Sequence, residues 1–292
     1  LQTVDKGSVM YVAAKVYGEN YFLVNDLNGR ALGYIYGDQI NFDLGIVKED
    51  QSVAIEWGNY YALIIANSDY ENEGFLDLDT PKTDATELES ILRNKYKFET
   101  QLLLDASEEE MLETIHSYRE ILKESDNFLI YYAGHGYLDK SNNVGYWQPI
   151  DAKLNKSWTW IATQTVSDEI KAMKAKHILV IADSCYSGTF IYRSVNAQNR
   201  PKGDENIRIF YEKKNSKKAR LALSSGDHQP VPDSLGEEHS PFAKALIMTL
   251  NLNDDVLLSS ELYKLLEEQL ALESTHQEPL YGPILNSDHR QG

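Results

Sequence analysis

The sequence predicts an α/β fold: a mostly parallel sheet with helices on both faces, and a small β domain at the amino-terminal end. Three observations lead to this prediction. From residue 60 onward, short apolar runs alternate with amphipathic helical segments, a pattern typical of parallel sheets. The first 57 residues contain short β segments without an intervening helix. The 292 residues include a single cysteine, so a buried core rather than disulfide bonds must stabilise the fold.

The amino-terminal segment, residues 1–57, is predicted to be a small β module. Turn signals at Tyr17–Asn20 and Asn28–Gly29 separate its strands. The stretch from Tyr11 to Tyr36 resembles the carboxyl-terminal part of bacterial domains of the Src-homology-3 type. This resemblance implies a targeting or inhibitory module, which could bind a regulatory partner. The predicted strands are Val9–Val16, Tyr21–Asn25 and Arg30–Tyr36.

The remaining residues are predicted to alternate between strand and helix. Tyr60–Asn67 is a continuous apolar run, as expected for a strand that is covered on both faces. Ser107 and Glu110 form a capping box at one helix start. Ser240 followed by Pro241 is typical of another helix start. The other predicted elements are the strands Phe98–Leu104, Phe128–Ala133, His177–Ala182 and Leu221–Ser225, and the helices Asp84–Asn94, Val166–Ala175 and Ser260–Ala271.

The composition limits the partners. The chain carries 28 basic and 45 acidic residues, a net charge of −17 that disfavours binding to nucleic acid. An acidic surface attracts cationic ligands, although it also serves solubility. No apolar run reaches the roughly 18–20 residues of a membrane-spanning helix. No signal peptide is recognisable, but the chain starts at Leu1, so a targeting segment could have been removed and its absence does not decide the compartment. The localisation is therefore left open between the cytoplasm, which is slightly favoured, and a processed or exported form.

Two predicted strands end in residues that carry chemistry. The first leads into Gly134-His135-Gly136, and the second leads into Asp183-Ser184-Cys185. Sites in open α/β sheets form at the carboxyl ends of strands. A thiol becomes a useful nucleophile near neutral pH when a base lies close to it. We therefore expect His135 and Cys185 to act together, with the amides of Gly136 and Cys185 as an oxyanion hole.

Each of these residues has a simpler interpretation when it is taken alone. A lone buried cysteine is usually a small apolar side chain, and a histidine between glycines is usually a loop residue. Their occurrence at matching strand ends favours the catalytic interpretation. His135 also precedes Cys185 by 50 residues, which is the spacing of the caspase arrangement.

Residues 60–290 resemble the caspase and metacaspase superfamily of cysteine peptidases, most closely its bacterial caspase-like members of the metacaspase or orthocaspase type. Tyr131–Gly136 is similar to the histidine motif of the family, and Asp183–Gly188 is similar to its nucleophile motif. Other similar stretches are Pro149–Ala152, Leu223–Gly226 and His239–Ala243.

The resemblance implies a caspase-like peptidase domain over residues 58–292. It implies that Cys185 is the nucleophile and His135 the acid/base, that a thioester forms, and that the chemical step needs no metal. A protein or peptide is then the substrate. A catalytically silent binding or scaffold protein is the alternative, and a protease kept latent until a partner binds the amino-terminal module is a third hypothesis.

The residue two positions before the cysteine indicates the specificity. Caspases have Gln there, whereas this chain has Asp183, as metacaspases do. The matching Asp of metacaspases lines the pocket for Arg or Lys at P1, the residue before the cleaved bond, and a buried carboxylate attracts such a cation. Asp84 aligns with a second pocket acid, with a helix N-cap as the alternative. Asp227 is a third candidate, with a turn residue as the alternative.

Residues 191–220 break the charge trend, because nine basic and three acidic residues give them a charge of +6 and leave −23 on the rest. We expect a long surface loop there. An enzyme that cleaves after Arg or Lys could process itself in this loop, whereas an uncleaved basic flap is the alternative. The candidate cleavage sites are Lys213, Lys214, Lys217, Lys218 and Arg220.

Two further features are a set of acidic residues that could bind calcium and a set of tryptophans. Some metacaspases need calcium, and Asp139, Asp151 and Asp168 are acidic residues that could hold it, although no EF-hand pattern is present. Calcium is therefore considered as an activator only. The tryptophans Trp147, Trp158 and Trp160 could line a substrate groove or pack in the core.

Overall fold

A computed structural model describes residues 11–15, 21–25, 31–36, 55, 57–184, 187–191, 201, 204–226, 238–272 and 277–290. Cys185 and Asp227 thus lie outside the described residues. The chain divides into two compact units, residues 1–54 and residues 55–292. In the part that the structure describes, no helix combines the length and the apolar character needed to cross a bilayer.

The described residues of the amino-terminal unit form a three-stranded antiparallel sheet in the order β1-β2-β3. Tyr21 pairs with Tyr36, and Tyr11 pairs with Asn25. An irregularity in β1 near Val12 shifts the register of its pairing with β2. The short β segments of the sequence are thus strands. They are β1 (Tyr11–Lys15), β2 (Tyr21–Asn25) and β3 (Ala31–Tyr36).

A six-stranded sheet forms the centre of the second unit. Five of its strands are parallel, and the last strand pairs antiparallel at one edge. Three short strands form a second, antiparallel sheet. In chain order the strands are β4 (Tyr60–Ala66), β5 (Glu99–Leu104), β6 (Asn127–Ala133), β7 (Gly136–Asp139), β8 (Val144–Trp147), β9 (Ile161–Ala162), β10 (His177–Asp183), β11 (Ala219–Ser224) and β12 (Leu280–Pro283). The order in the large sheet is β12-β11-β10-β6-β4-β5.

Helices cover both faces of the large sheet, as predicted. Met111 and Ile115 of α2 share one apolar core with Ile170 of α3, whereas Leu88 of α1 and Leu246 of α5 belong to a core on the other face, with α6. The predicted architecture, a mostly parallel sheet with helices on both faces, is therefore confirmed. The helices are α1 (Pro81–Asn94), α2 (Glu108–Ile121), α3 (Thr163–Ala172), α4 (Asp204–Asn215), α5 (Pro241–Leu252) and α6 (Ser259–Leu272).

Local signals in the sequence explain where several helices begin. Ser107 accepts a hydrogen bond from the amide of Glu110, whose carboxylate binds the amide of Ser107, so the predicted capping box forms. Ser240 caps α5 by accepting a hydrogen bond from the amide of Ala243. The predicted helix Val166–Ala175 instead begins and ends three residues earlier, as α3.

The strand register brings three strand ends to one level. Ala133 at the end of β6 pairs with Asp183 of β10 and with Ala66 of β4. Because these strands are parallel, the residues that follow them leave the sheet at the same edge. Gly134 and Ser184 therefore directly follow neighbouring strand ends, and His135 comes one residue after Gly134.

The prediction of a surface loop over residues 191–220 is wrong for the second half of that segment. Here α4 covers residues 204–215, and β11 begins at Ala219. Tyr211 of α4 is buried and lies edge-on to Trp57, with ring centroids 5.8 Å apart. Residues 192–200, 202 and 203 lie outside the described residues.

Arg220 is a buried cation inside β11. Its guanidinium donates to the carbonyl oxygens of four residues at distances of 2.7–3.1 Å, and burial lowers its pKa to about 10. This burial argues against cleavage after Arg220 in the folded chain. The four acceptors belong to Met173, Ala175, Lys176 and Ala219.

Replacing Arg220 should test how much this cluster contributes to stability. We expect Arg220→Met to lower the free energy of unfolding by roughly 2–4 kcal/mol, because buried carbonyl groups lose their donors. Urea denaturation measures the change. The matched control is Arg208→Met on the exposed side of α4, where an ion pair with Glu212 contributes at most about 1 kcal/mol. Equal losses in the two variants would contradict this interpretation.

Candidate active site

The candidate active site begins where β6 ends. Gly134 has a φ of 155°, which favours glycine. A Cβ atom there would lie 2.9 Å from the hydroxyl oxygen of Tyr132 and 3.0 Å from that of Tyr70. The glycine thus lets two tyrosine hydroxyls approach the backbone beside His135.

Those two hydroxyls fix the backbone of His135 from both sides. The amide of His135 donates to the hydroxyl of Tyr70 at 2.8 Å, and the hydroxyl of Tyr132 donates to its carbonyl at 2.7 Å. Both hydroxyls also lie within 3.3 Å of the carbonyl oxygen of Gln148, which follows β8. Burial raises the pKa of Tyr70 well above its usual value, so this hydroxyl stays protonated.

The imidazole of His135 is oriented by the β4–α1 loop, residues 67–80. Its Nε2 lies 2.7 Å from the carbonyl oxygen of Leu76, and its ring packs against Tyr70 and Phe75. Since a carbonyl oxygen only accepts, Nε2 must carry a hydrogen. In the neutral ring, Nδ1 is then the nitrogen with the free lone pair, which is the requirement for a general base.

The β4–α1 loop is itself tied to the sheet. Asp105 follows β5 and accepts hydrogen bonds from the amides of Ser68 and Asp69 at 2.8 and 3.1 Å. Lys82 of α1 forms ion pairs with both Asp69 and Asp105. The amide of Leu78 donates to the carbonyl of Ser68 at 3.1 Å. These contacts hold the loop in the shape that presents the Leu76 carbonyl.

Asp84 and Asp183 come together at the start of α5. The hydroxyl of Ser240 donates to Asp183 at 2.5 Å, and the amide of Ser240 donates to Asp84 at 3.3 Å. Asp84 is 1% exposed and Asp183 is 9% exposed. The alternative role for Asp84 is wrong, because Thr80 is the N-cap of α1 and Asp84 lies in its first turn. One serine thus contacts both carboxylates.

The electrostatics of this pair follow from burial. Burial raises the pKa of Asp84 to about 6, although hydrogen bonds from His239 and Ser240 act in the opposite direction. Tyr131 of β6 is fully buried, and burial together with the charges of Asp183 and Asp84 raises its pKa. Its hydroxyl has no hydrogen-bond partner among the described residues. This buried cluster therefore combines two acids with a protonated hydroxyl.

Other predicted site residues have these positions. Gly136 is the first residue of β7, where it pairs with Trp147 of β8. Cys185 and Asp227 lie outside the described residues, so the oxyanion hole and the third pocket acid stay predictions. The cysteine directly follows Ser184, which is buried one residue beyond the end of β10.

The acids considered for calcium are not assembled into one group. Asp139 lies on β7, Asp151 lies in the turn after β8, and Asp168 lies on α3. Each accepts a hydrogen bond from a protein donor. Among the described residues, no group of three or more His, Cys, Asp or Glu side chains could hold a metal ion. Calcium activation stays a prediction.

The three tryptophans have different environments. Trp147 is buried and stacks on Tyr132, with ring centroids 4.4 Å apart. Trp160 is buried beside Tyr137 at 4.9 Å. Both therefore pack in the interior, whereas Trp158 is 73% exposed.

The sequence analysis missed two contributors to the site. The first is the carbonyl of Leu76, which has no side-chain signature. The second is His239, whose Nδ1 lies 2.7 Å from the carboxylate of Asp84. The stretch His239–Ala243 resembles the family, but nothing in it indicates that His239 contacts Asp84, which is 155 positions away.

Comparison with known proteins places this arrangement in a family. A protein-family model described as "Caspase domain" matches residues 59–282. Caspase-1 from Spodoptera frugiperda has a similar fold, with a TM-score of 0.57, 15% identity, and coverage of 79% of this chain and 88% of that chain. A protein from Geobacter sulfurreducens gives a TM-score of 0.53 and 18% identity, over 78% of this chain and 95% of that chain. No curated protein sequence matches the chain. The chain belongs to the caspase-domain family of cysteine peptidases.

Proposed function

We propose that this protein is a cysteine endopeptidase that cleaves peptide bonds after Arg or Lys. The observation that carries the proposal is the pair of carboxylates, Asp84 and Asp183, on Ser240. Asp183 also lies two residues before Cys185. A cationic side chain that enters beside the nucleophile would thus meet a buried negative charge.

In the proposed reaction, His135 and Cys185 form the catalytic dyad. Nδ1 of His135 takes the thiol proton, and the sulfur attacks the carbonyl carbon of the scissile bond. The amides of Gly136 and Cys185 donate to the resulting oxyanion. His135 then gives its proton to the leaving amine, which leaves a thioester that water hydrolyses. The Leu76 carbonyl would hold the imidazole in the required tautomer throughout.

The specificity pocket would discriminate between substrates by the charge of the P1 side chain. The guanidinium of Arg can form paired hydrogen bonds with a carboxylate, and the ammonium of Lys can bind as a point charge. An Asp side chain at P1 would be repelled by Asp84 and Asp183. The buried hydroxyl of Tyr131 lies close enough to both acids for their charges to raise its pKa, so it is a further candidate contact.

Self-processing is part of the proposal, within limits that the fold imposes. Lys213 and Lys214 lie in the last turn of α4, and proteases bind extended chains, so that turn would have to open. Lys217 and Lys218 lie between α4 and β11, with their carbonyls hydrogen-bonded to His177 and Arg290. Local opening of this connection is a smaller change than extraction of β11.

A peptide library that varies the P1 residue tests the main proposal. We expect wild-type protein to cleave peptides with Arg or Lys at P1 and not those with Asp. Cys185→Ala should abolish cleavage, whereas Asp183→Asn should reduce kcat/KM for Arg by at least about tenfold, because a charge-assisted contact is worth at least about 1.4 kcal/mol. Preference for Asp at P1 would refute the proposed pocket.

The same cleavage measurements, made with and without calcium, test whether calcium is an activator.

The buried negative charge of Asp84 should lower the free energy of unfolding. Because burial raises its pKa to about 6, the folded state binds its proton more tightly than the unfolded state does. We therefore expect Asp84→Asn to stabilise the fold by roughly 1–3 kcal/mol above pH 6, and this gain should vanish as the pH falls toward 4. Denaturation at pH 7.5 and pH 4.5 measures it.

The matched control for that measurement is Asp139→Asn. Asp139 is partly exposed, and hydrogen bonds from Ser141 lower its pKa, so neutralising it should bring no gain at pH 7.5. The idea fails if Asp84→Asn destabilises the protein equally at both pH values. The same variant should also weaken cleavage after Arg.

Self-processing can be read from new amino termini. We expect active protein on prolonged incubation to be cut between residues 191 and 218, and Cys185→Ala to stay intact. Sequencing of the fragments locates the cut. A new terminus at Leu221 would contradict the protection of β11, and an uncut chain that still cleaves peptides would exclude self-processing.

A further inference from the structure

His239 lies between two carboxylates of one helix. Its Nδ1 is 2.7 Å from Oδ1 of Asp84, and its Nε2 is 3.1 Å from Oε2 of Glu87. Asp84 and Glu87 are three residues apart on α1, so they project from the same side of that helix. A neutral imidazole has one N–H, whereas an imidazolium has two and can donate to both carboxylates. This geometry suits a charged His239.

The two carboxylates differ in their environment. The side chain of Glu87 is 43% exposed, so solvent can stabilise its charge. Asp84 is buried, and a buried carboxylate without a charged partner favours its protonated form. The charge of His239 therefore matters most for Asp84.

The other described groups in contact with Asp84 carry no full positive charge. Asp183 of β10 shares Ser240 with Asp84, which adds a second buried carboxylate beside the same side chain. Tyr131 of β6 contributes a neutral hydroxyl on the buried side. The amide of Ser240 favours the carboxylate form of Asp84 but carries no full charge. A His239 that donates from both ring nitrogens would supply a cation next to Asp84.

We propose that His239 is a positioning residue that keeps Asp84 ionised and correctly oriented in the specificity pocket, with Glu87 supporting the imidazole from the solvent side. The inference rests on the proposed preference for basic P1 residues, since a protonated Asp84 would offer a guanidinium no charge. A carboxylate has about four lone-pair sites, so the contacts with His239, Ser240 and Thr80 leave one of them for a substrate.

The test compares the pH dependence of cleavage in the full chain. The substrate is a fluorogenic peptide with Arg at P1, and a citrulline peptide serves as its neutral counterpart. The variants are His239→Ala, His239→Gln and Glu87→Gln. The control is His116→Gln, because His116 also pairs with a glutamate, Glu169, but lies on α2 outside the pocket.

For the Arg peptide, we expect His239→Ala to move the acid limb of kcat/KM upward by about one pH unit, because the buried acid loses its cation. Near pH 6 this corresponds to roughly a tenfold loss, mainly in KM. His239→Gln keeps a donor without the charge and should shift the limb less, as should Glu87→Gln. Cleavage of the citrulline peptide should show no such shift, and His116→Gln should behave as wild type.

Two outcomes would overturn the inference. One is an unchanged acid limb in both His239 variants. The other is a limb that moves to lower pH, which would mean that the imidazolium of His239 competes with the substrate's cation for Asp84. The alkylation rate of Cys185 by iodoacetamide should be the same in wild type and the His239 variants, which separates the pocket from the dyad.

A direct titration distinguishes this inference from the proposed specificity. Carbon-13 NMR of the Asp84 carboxyl group, assigned with Asp84→Asn in a Cys185→Ala background, reports its protonation without catalysis. We expect a higher pKa for Asp84 in the His239→Ala chain. If that shift occurs but no basic peptide is cleaved by wild type, the specificity proposal fails and the role of His239 stands. If the titration of Asp84 does not move, the inference fails.

Discussion

In-register parallel pairing of β6 with β4 and β10 is the constraint on which the site depends. It sets Ala133, Ala66 and Asp183 at one level, so that the next residues of each strand leave the sheet together. The β4–α1 loop then reaches over the end of β6 with the Leu76 carbonyl, and the residues after β10 continue to Cys185. A slip of one residue in β6 would turn Tyr132 and the backbone of His135 to the opposite side.

The pocket acids show how function and stability oppose each other. Ser240 is a helix cap, which stabilises α5. Its hydroxyl also donates a hydrogen bond to Asp183, and its amide donates one to Asp84. Burying Asp84 disfavours its charge, and no cation other than a histidine is described within bonding distance of it. Such a carboxylate is a poor choice for stability alone, which is the reason for proposing a ligand with positive charge.

Much of the fold was predictable because its signals are local. Continuous apolar runs predicted β4, β6 and β10, and Ser107 with Glu110 predicted the start of α2. The helix α4 was not predictable in this way, because a distant residue, Trp57, covers Tyr211 and the helix lies in a basic segment. The family motifs pointed to His135 and Asp183. The Leu76 carbonyl had no signature, since any residue supplies a backbone oxygen, and the His239–Asp84 contact joins residues 155 positions apart.

The guanidinium cluster of Arg220 has a consequence for a nicked chain. It ties the first residues of β11 to the connection before β10, and pairing with β10 continues that attachment along the strand. If the backbone is cleaved anywhere between α4 and β11, these hydrogen bonds still join the two fragments. Both halves of the proposed site, the ends of β6 and β10 on one fragment and Ser240 on the other, would then persist in a two-fragment heterodimer.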